Sequence, residues 1–194
     1  MRMRKNIMRM ISLLLALLTL AAIPLTGFCC YDNYSLWAEW TNHRIRGNRV
    51  YFSDASASSV LKEGNITFYA GYAIDDKRDY QRPWVEGVRG NGIGETLTLY
   101  FDDVVMIDAL SLRLGYARDQ ARYDKNNRPS ALRFTFSDGR SVDCWFEDVN
   151  EEQSVILSDC VYTWYVDITI LDVYPGTQCD DTCIYQVKAY ELAG

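Results

Sequence analysis

Side chains that can bind hydroxyl groups are concentrated in the glycine-rich segment 84–95. Trp84 could stack on the apolar face of a ring-shaped ligand, as amphipathic aromatic side chains do at binding surfaces. Glu86 and Glu95 could accept hydrogen bonds from ligand hydroxyls. Two structural alternatives stay open here: Trp84 could anchor the loop in the core, and Glu95 could pair with Arg128 to join two loops.

A second polar and aromatic group follows between residues 115 and 129. Asparagine and arginine supply directional donors, and arginine can also make bidentate contact with an acid group. The alternative is that the run Asn127-Arg-Pro129 only shapes the loop before a strand. The candidate ligand-binding residues of this group are Tyr116, Tyr123, Asn127 and Arg128.

The sequence lacks the residue patterns of common catalytic and nucleotide sites. The run Gly90-Asn-Gly-Ile-Gly94 does not match G-x-G-x-x-G, and a strand pattern follows it where a phosphate site would need a helix. Glycoside hydrolysis needs two facing carboxylates, and the spacing of Glu86 from Glu95 or Asp181 does not indicate that geometry. The single histidine, His43, and the absence of G-x-S-x-G disfavour a hydrolase triad. We therefore expect no enzymatic activity.

Alternation of apolar and polar residues predicts β-strands through the second half of the chain. Leu97, Leu99 and Phe101 begin the series, which recurs at 110–114, 132–136, 142–146, 166–170 and 187–189. Ser137-Asp-Gly139 lies between two of these runs and is a hairpin signal, because Asp-Gly suits a positive-φ turn. No window has a convincing helical period. Roughly eight short strands separated by turns predict an all-β fold, an antiparallel β-sandwich.

The first thirty residues have the pattern of an export signal. A basic start is followed by a nearly unbroken apolar run, Ile11 to Leu25, which is typical of a signal peptide over residues 1–30. We expect cleavage after Gly27. Because Leu25-Thr-Gly-Phe-Cys29 resembles a lipobox, a lipid-anchored form is the alternative.

The rest of the chain is acidic and is expected to form one domain. The whole sequence carries a formal net charge of −6, and loss of the four basic residues of the signal leaves a charge of about −10. This charge disfavours nucleic acid and anionic lipid as partners. No apolar stretch after Gly27 is long enough to span a bilayer, so we expect a secreted or cell-envelope protein. Residues 31–51 are expected to form a lead-in segment and residues 52–194 the domain.

Six cysteines allow disulfides in an exported chain, but the sequence cannot choose their pairing. Cys144 shares strand parity with its apolar neighbours and could be a buried small side chain. Cys179 and Cys183 could close a short loop. A zinc site is poorly supported, because no paired C-x-x-C spacing occurs.

A series of short motifs in order gives the chain a resemblance to a known family. The motifs are Ala57-Ser-Ser-Val-Leu-Lys62, Ala73-Ile-Asp75, Trp84-Val-Glu-Gly87, Gly92-Ile-Gly-Glu95, Gly115-Tyr116, Asn127-Arg-Pro129, Phe136-Ser-Asp-Gly139, and Ile170-Leu-Asp-Val-Tyr-Pro-Gly176 leading to Asp181-Thr-Cys-Ile184. Over residues 52–192 the chain resembles the NADase-type glycan-binding domain, also called the NAD glycohydrolase translocation domain. That family is a discoidin-like branch of the galactose-binding-like sandwiches with jelly-roll topology.

The resemblance implies a non-catalytic module that binds a carbohydrate, since the glycohydrolase activity of such toxins belongs to a separate domain. The alternative is an accessory domain for cell-envelope protein interaction or toxin translocation, without lectin activity. On either hypothesis the ligand-binding candidates are the residues named above together with Asp181. For Asp181 two alternatives stay open, namely that it is a calcium ligand or that it is a turn residue.

Many related domains hold a structural calcium ion near the Ala-Ile-Asp segment. The resemblance therefore suggests Asp75 and Asp76 as calcium ligands, since carboxylates are hard oxygen donors. The threonine and late glutamate that usually help to bind the ion are replaced here by Arg82-Pro83 and Gln186. No other cofactor is expected.

Overall fold

The computed structural model describes residues 36–41, 45–77 and 81–192. The expected signal peptide, its cleavage and lipid-attachment positions, and His43 lie outside the described residues. Within the described ranges, neither helix has the length and apolar character needed to cross a membrane.

Eleven β-strands make up most of the described chain, together with a 3-10 helix at Ala70–Ile74 and one α-helix, α1, at Gln120–Lys125. The strands are β1 (Ala38–Thr41), β2 (Gly47–Val50), β3 (Asp54–Ala57), β4 (Lys62–Glu63), β5 (Ile66–Thr67), β6 (Trp84–Val85), β7 (Thr96–Leu114), β8 (Arg128–Phe136), β9 (Ser141–Trp145), β10 (Gln153–Tyr174) and β11 (Cys183–Leu192).

Two long antiparallel strands, β7 and β10, contribute to both layers of the sandwich. The first layer has the order β2-β11-β7-β10-β1 and uses the later part of β7 with the early part of β10. The second layer has the order β3-β7-β10-β8-β9 and uses the early part of β7 with the later part of β10. The β7–β10 register shifts between Ile156 and Val161 and again between Thr163 and Tyr165. Such bulges bend a strand and let it serve two sheets.

The core lies between the layers and contains the apolar members of each alternating run. Leu97, Phe134 and Ile168 are fully buried, while the polar residues beside them on each strand face outward. Burial of these side chains is the main favourable contribution to folding. The predicted all-β antiparallel sandwich is confirmed.

The predicted hairpin between β8 and β9 is also confirmed. Gly139 has a φ of +87°, which glycine adopts without steric cost. Asp138 Oδ1 accepts a hydrogen bond from the Arg140 backbone N–H at 2.9 Å and fixes the turn.

Two elements differ from the expectation. Residues 36–41 and 45–50 contribute two strands, β1 and β2, which pair with β10 and β11 and therefore belong to the sandwich. Helix α1 was not expected, because its six residues are too few to show a helical period. Asp119 caps it by accepting a hydrogen bond from the Arg122 N–H at 2.9 Å.

The cysteines of the described chain are all free thiols, and Cys144 is buried as expected. Closure of a short loop by a Cys179–Cys183 disulfide, one of the possibilities left open by the sequence, does not occur in this structure. Backbone hydrogen bonds hold the loop instead: Cys179 N–H donates to Lys125 O at 2.9 Å, and Cys183 N–H donates to Asn127 O at 3.2 Å.

Candidate binding site

Three loops meet at one end of the sandwich, where β11 begins. They are residues 86–95 between β6 and β7, residues 115–127 around α1, and residues 175–182 between β10 and β11. Strand β6 fixes the first loop by pairing with β11, with Val85 opposite Cys183. All eight candidate residues lie in or beside these loops, with Glu95 at the end of the first.

Glu86 joins the first and third loops from a fully buried position. Its Oε1 accepts a hydrogen bond from the Thr182 N–H at 3.1 Å, and its Oε2 accepts one from the Val88 N–H at 2.8 Å. Burial raises the pKa of this carboxyl, and the two backbone donors oppose the shift. The structure therefore corrects the expectation that Glu86 contacts ligand hydroxyls, because both of its oxygens are occupied inside the protein.

Trp84 is also fully buried, which corrects its expected role as a stacking surface. Its indole packs in the main core, and its Nε1–H donates a hydrogen bond to Ser59 O at 3.0 Å. A buried tryptophan that finds a partner for its N–H is a packing residue. The alternative, a loop anchor, is the one the structure supports.

Glu95 does not pair with Arg128, so that expectation is wrong. The Glu95 Oε2 accepts hydrogen bonds from the hydroxyls of Ser58, at 2.6 Å, and Ser59. Ser59 Oγ in turn accepts from the Gly87 N–H at 2.9 Å. Glu95 thus ties the start of β7 to the segment after β3 and stabilises the first loop.

Arg128 pairs with Asp148 instead. Arg128 Nε donates to Asp148 Oδ1 at 2.7 Å, and Nη2 contacts Oδ2, so the pair is bidentate. The Tyr123 hydroxyl donates to the same Oδ1 at 3.0 Å, and the guanidinium lies over the Tyr123 ring at 5.0 Å. Arg128 lowers the pKa of Asp148, and burial raises the pKa of Tyr123. Tyr123 and Arg128 therefore join α1 to the loop before β10.

Asn127 uses all of its polar groups within the protein. Its side chain donates from Nδ2 to Asp180 O at 2.7 Å and accepts at Oδ1 from the Gly176 N–H at 2.6 Å. Its backbone N–H donates to Asp181 O at 3.1 Å. The structural alternative, in which Asn127 and Arg128 shape the loop, is the one that the contacts support.

Four candidates are partly exposed: Glu95, Tyr116, Arg128 and Asp181. Glu95 and Arg128 are used in the contacts described above. Burial raises the pKa of Asp181, and the nearby carboxylates of Glu63 and Asp180 add to the shift. Burial also raises the pKa of Tyr116. The positive charges that oppose this second shift come from Arg82, Arg118 and Arg122.

The described residues do not fit the calcium ion suggested by the resemblance. Asp76 forms an ion pair with Arg49 at 2.9 Å, and Asp75 Oδ1 accepts a hydrogen bond from the Lys77 N–H at 3.1 Å. Within the described part of the chain, no group of three or more His, Cys, Asp or Glu side chains could hold a metal ion. Asp75 and Asp76 are therefore used in other contacts.

An open, shallow pocket lies beside these loops. It is lined by Tyr72, Asp75, Gln81, Arg82 and Tyr185. Gln81 is the single non-glycine residue with a positive φ, +48°, in the described ranges, and such conformations often occur at functional sites. The pocket brings the part-exposed ring of Tyr72 together with donors and a carboxylate acceptor, while the ring of Tyr185 is buried.

Sequence reasoning missed four of these residues. Tyr72 lies in the 3-10 helix, and Tyr185 lies on a strand, where it is indistinguishable from a core residue. The one available signal was Arg82, which stands where calcium-binding relatives have a threonine.

A family model described as the NAD glycohydrolase translocation F5/8 type C domain matches residues 47–190. The chain belongs to this family. The match confirms the resemblance, and it begins within β2, so that strand is part of the family domain. A search of the curated proteins finds no match.

Solved structures similar to this translocation-family domain are carbohydrate-binding modules. The family 32 module of C. perfringens NanJ, in complex with galactose, has 18% identity, a TM-score of 0.53, and coverage of 71% of this chain and 93% of that chain. The family 32 module of AlyQ, in complex with 4,5-unsaturated mannuronic acid, has 13% identity, a TM-score of 0.52, and coverage of 74% and 98%.

A third similar structure is a mutant of chitosan-binding module 1 from a Paenibacillus sp. IK-5 chitosanase/glucanase. It has 12% identity, a TM-score of 0.52, and coverage of 75% of this chain and 100% of that chain. At these identities the likeness establishes the sandwich fold.

Proposed function

We propose that this chain is an exported, non-catalytic carbohydrate-binding module, and that the pocket lined by Tyr72 and Tyr185 binds a sugar residue. The observation that carries the proposal is the convergence of the part-exposed Tyr72 ring, the Arg82 guanidinium, the Gln81 amide and the Asp75 carboxylate in one open pocket, which the buried Tyr185 also lines. Aromatic faces pack against the C–H face of a sugar ring, and the polar groups bond its hydroxyls.

The same sandwich carries bound galactose in the NanJ module and a bound uronic acid in the AlyQ module, which supports a carbohydrate ligand here.

The absence of catalysis is part of the proposal. A glycosidase would need two carboxylates exposed to the same substrate. Glu86 is enclosed by backbone donors, and Glu95 is held by two serine hydroxyls. Export rests on the signal-like segment 1–30 of the sequence.

Glycan-array binding of the purified protein tests the proposal, followed by titration of the bound sugars. We expect selective binding that weakens at least about tenfold in Arg82→Ala, because a charge-assisted hydrogen bond to the ligand is lost. Arg46→Ala is the matched control, because this exposed arginine precedes β2, whose Gly47 pairs with Leu192 at the far end of β11.

Two results would contradict the proposal. If folded Arg82→Ala protein bound the sugar as tightly as wild type, the ligand would not lie in the pocket. A blank array would favour the alternative, an accessory domain for protein interaction or toxin translocation.

A further inference from the structure

Three aromatic rings are in contact on the outer face of the second layer. The rings of Tyr100 and Trp164 stack with centroids 6.2 Å apart, and Trp164 meets Tyr165 edge-on at 4.7 Å. Trp164 is 49% exposed. Tyr162, two residues before Trp164 on the same strand, is 61% exposed. We call Tyr100, Tyr162, Trp164 and Tyr165 the aromatic shelf.

A β-bulge builds this shelf. Val105 pairs with Thr163 and Tyr100 pairs with Tyr165, so four residues, 101–104, lie opposite the single residue Trp164. Bulges break the alternation of faces and redirect side chains. As a result, the consecutive residues Trp164 and Tyr165 have their rings in contact at the surface.

The turn between β8 and β9 holds the bulge in place. Ser137 N–H donates to Thr163 Oγ1 at 2.9 Å, and Trp164 N–H donates to Ser137 Oγ at 3.2 Å. Thr163 itself is fully buried. The backbone at Trp164 is therefore held in place before any ligand arrives, and such preorganisation lowers the entropic cost of binding.

The rim of the shelf is negatively charged. Asp54 pairs with Tyr100 across the β3–β7 register, and Asp102 and Asp103 lie in the four-residue stretch opposite Trp164. All three are exposed. Across the described ranges, no lysine or arginine forms an ion pair with any of them.

Hydroxyl and carboxylate groups continue from the shelf along the sheet. Tyr100 OH and Ser56 Oγ are hydrogen-bonded at 3.0 Å. In the same row, Thr98 Oγ1 donates to Asp167 Oδ1 at 2.6 Å. The face therefore combines flat aromatic surface with hydrogen-bonding groups and net negative charge.

We propose that the aromatic shelf is a second carbohydrate-binding surface, separate from the pocket, and that its ligand is an oligosaccharide of unacetylated amino sugars. Sugar rings lie on the exposed aromatic faces, and their ammonium groups interact with the Trp164 ring and the carboxylates of Asp102 and Asp103. The net charge of −6 favours such a cationic ligand over anionic ones. Binding at the aromatic shelf is proposed whether or not the pocket binds a sugar.

Calorimetric titration of the purified protein with a hexamer of β-1,4-linked glucosamine tests this, with the fully N-acetylated hexamer as the comparison. We expect the glucosamine hexamer to bind at least about tenfold more tightly, because acetylation removes the ammonium charge. The difference should shrink as salt is raised, since the carboxylates are exposed.

Variants place the ligand on one surface or the other. Trp164→Ala should weaken glucosamine-hexamer binding about tenfold or more, and Asp102→Asn with Asp103→Asn should weaken it while leaving the N-acetylated hexamer unaffected. The two aspartates are exposed, so this second variant should fold even if Trp164→Ala does not. Arg82→Ala, in the pocket, should leave the affinity unchanged.

Several results would overturn the proposal. Wild-type affinity in folded Trp164→Ala protein would overturn it. Loss of binding in Arg82→Ala alone would do so too, because it would place the ligand in the pocket. Binding of hexalysine that is equal in strength and equally lost in Trp164→Ala would identify a surface for cationic peptides instead. Loss of self-association in Trp164→Ala, with no sugar bound by wild type, would identify a contact between copies.

Discussion

Glu86 and Thr182 hydrogen-bond to each other in both directions, although they lie 96 residues apart in the chain. Thr182 N–H donates to Glu86 Oε1 at 3.1 Å, and Glu86 N–H donates to Thr182 O at 3.3 Å. The Thr182 hydroxyl continues the link by donating to Asn91 O at 2.7 Å. One buried carboxylate thus fixes two of the three loops at the candidate site.

Glu86→Gln should destabilise the protein by about 1–3 kcal/mol, because a glutamine amide has one oxygen and leaves one of two buried backbone N–H groups without an acceptor. The measurement is urea denaturation at neutral pH. Glu95→Gln is the matched control and should cost less than about 1 kcal/mol, since its serine hydroxyls can rotate to donate or accept. Equal losses in the two variants would contradict the assigned role of Glu86.

Asp148→Asn should destabilise the protein in a pH-dependent way. Hydrogen bonds from Arg128 lower the pKa of Asp148 below its ordinary value of 3.8, so the ionised form favours folding. This contribution is fully present above the unfolded-state pKa and is lost as pH falls through the folded-state pKa. The variant should therefore lose about 1–2 kcal/mol at neutral pH, and the difference from wild type should vanish in acid.

Asp143→Asn provides the comparison for that experiment. It breaks another bidentate arginine–aspartate pair, but the side chain of Arg133 is 49% exposed, against 11% for Arg128. Exposed pairs contribute about 0–1 kcal/mol because water screens them. A loss as large as that of Asp148→Asn would mean that burial of Arg128 is not what makes the Asp148 pair stabilising.

The sheet positions could be predicted from the sequence because alternation records which face of a strand is buried. Leu97 and Ile168 are examples, and Gly139 marks a turn by its residue type alone. Order among short motifs was enough to identify the family. These signals are local, so they do not depend on how distant segments pack.

The direction of the loop side chains could not be predicted in this way. Trp84 and Glu86 have the residue types of a binding loop, but their partners, Ser59 and Thr182, are remote in sequence. Trp164 escaped prediction for a related reason, because a bulge interrupts the alternation on which strand prediction depends. Folding contacts and ligand contacts use the same types of polar and aromatic residue. The burial of each side chain in the folded structure distinguishes the two roles.

Trp84→Ala should destabilise the protein by about 3–5 kcal/mol, because it leaves a large cavity in the core. Thermal and urea unfolding measure the loss. Trp164→Ala is the control, and as a half-exposed tryptophan it should cost far less. If Trp84→Ala instead retained wild-type stability and lost sugar binding, Trp84 would be a ligand contact. That result would contradict the assignment of Trp84 to the core.

Gly92→Ala should be more destabilising than Gly90→Ala, although both glycines have positive φ values, +67° and +106°. A Cβ at position 92 would lie 2.4 Å from Glu86 Cγ, whereas one at position 90 would have no atom within 4 Å. Both variants carry the backbone strain of about 1–2 kcal/mol, and Gly92→Ala also displaces the Glu86 carboxylate from its two donors. We expect an additional loss of at least about 1 kcal/mol by urea denaturation. In the double variant with Glu86→Gln, the two losses should be less than additive, because both act on the same hydrogen bonds. Full additivity would show that the glycine and the carboxylate stabilise the loop independently.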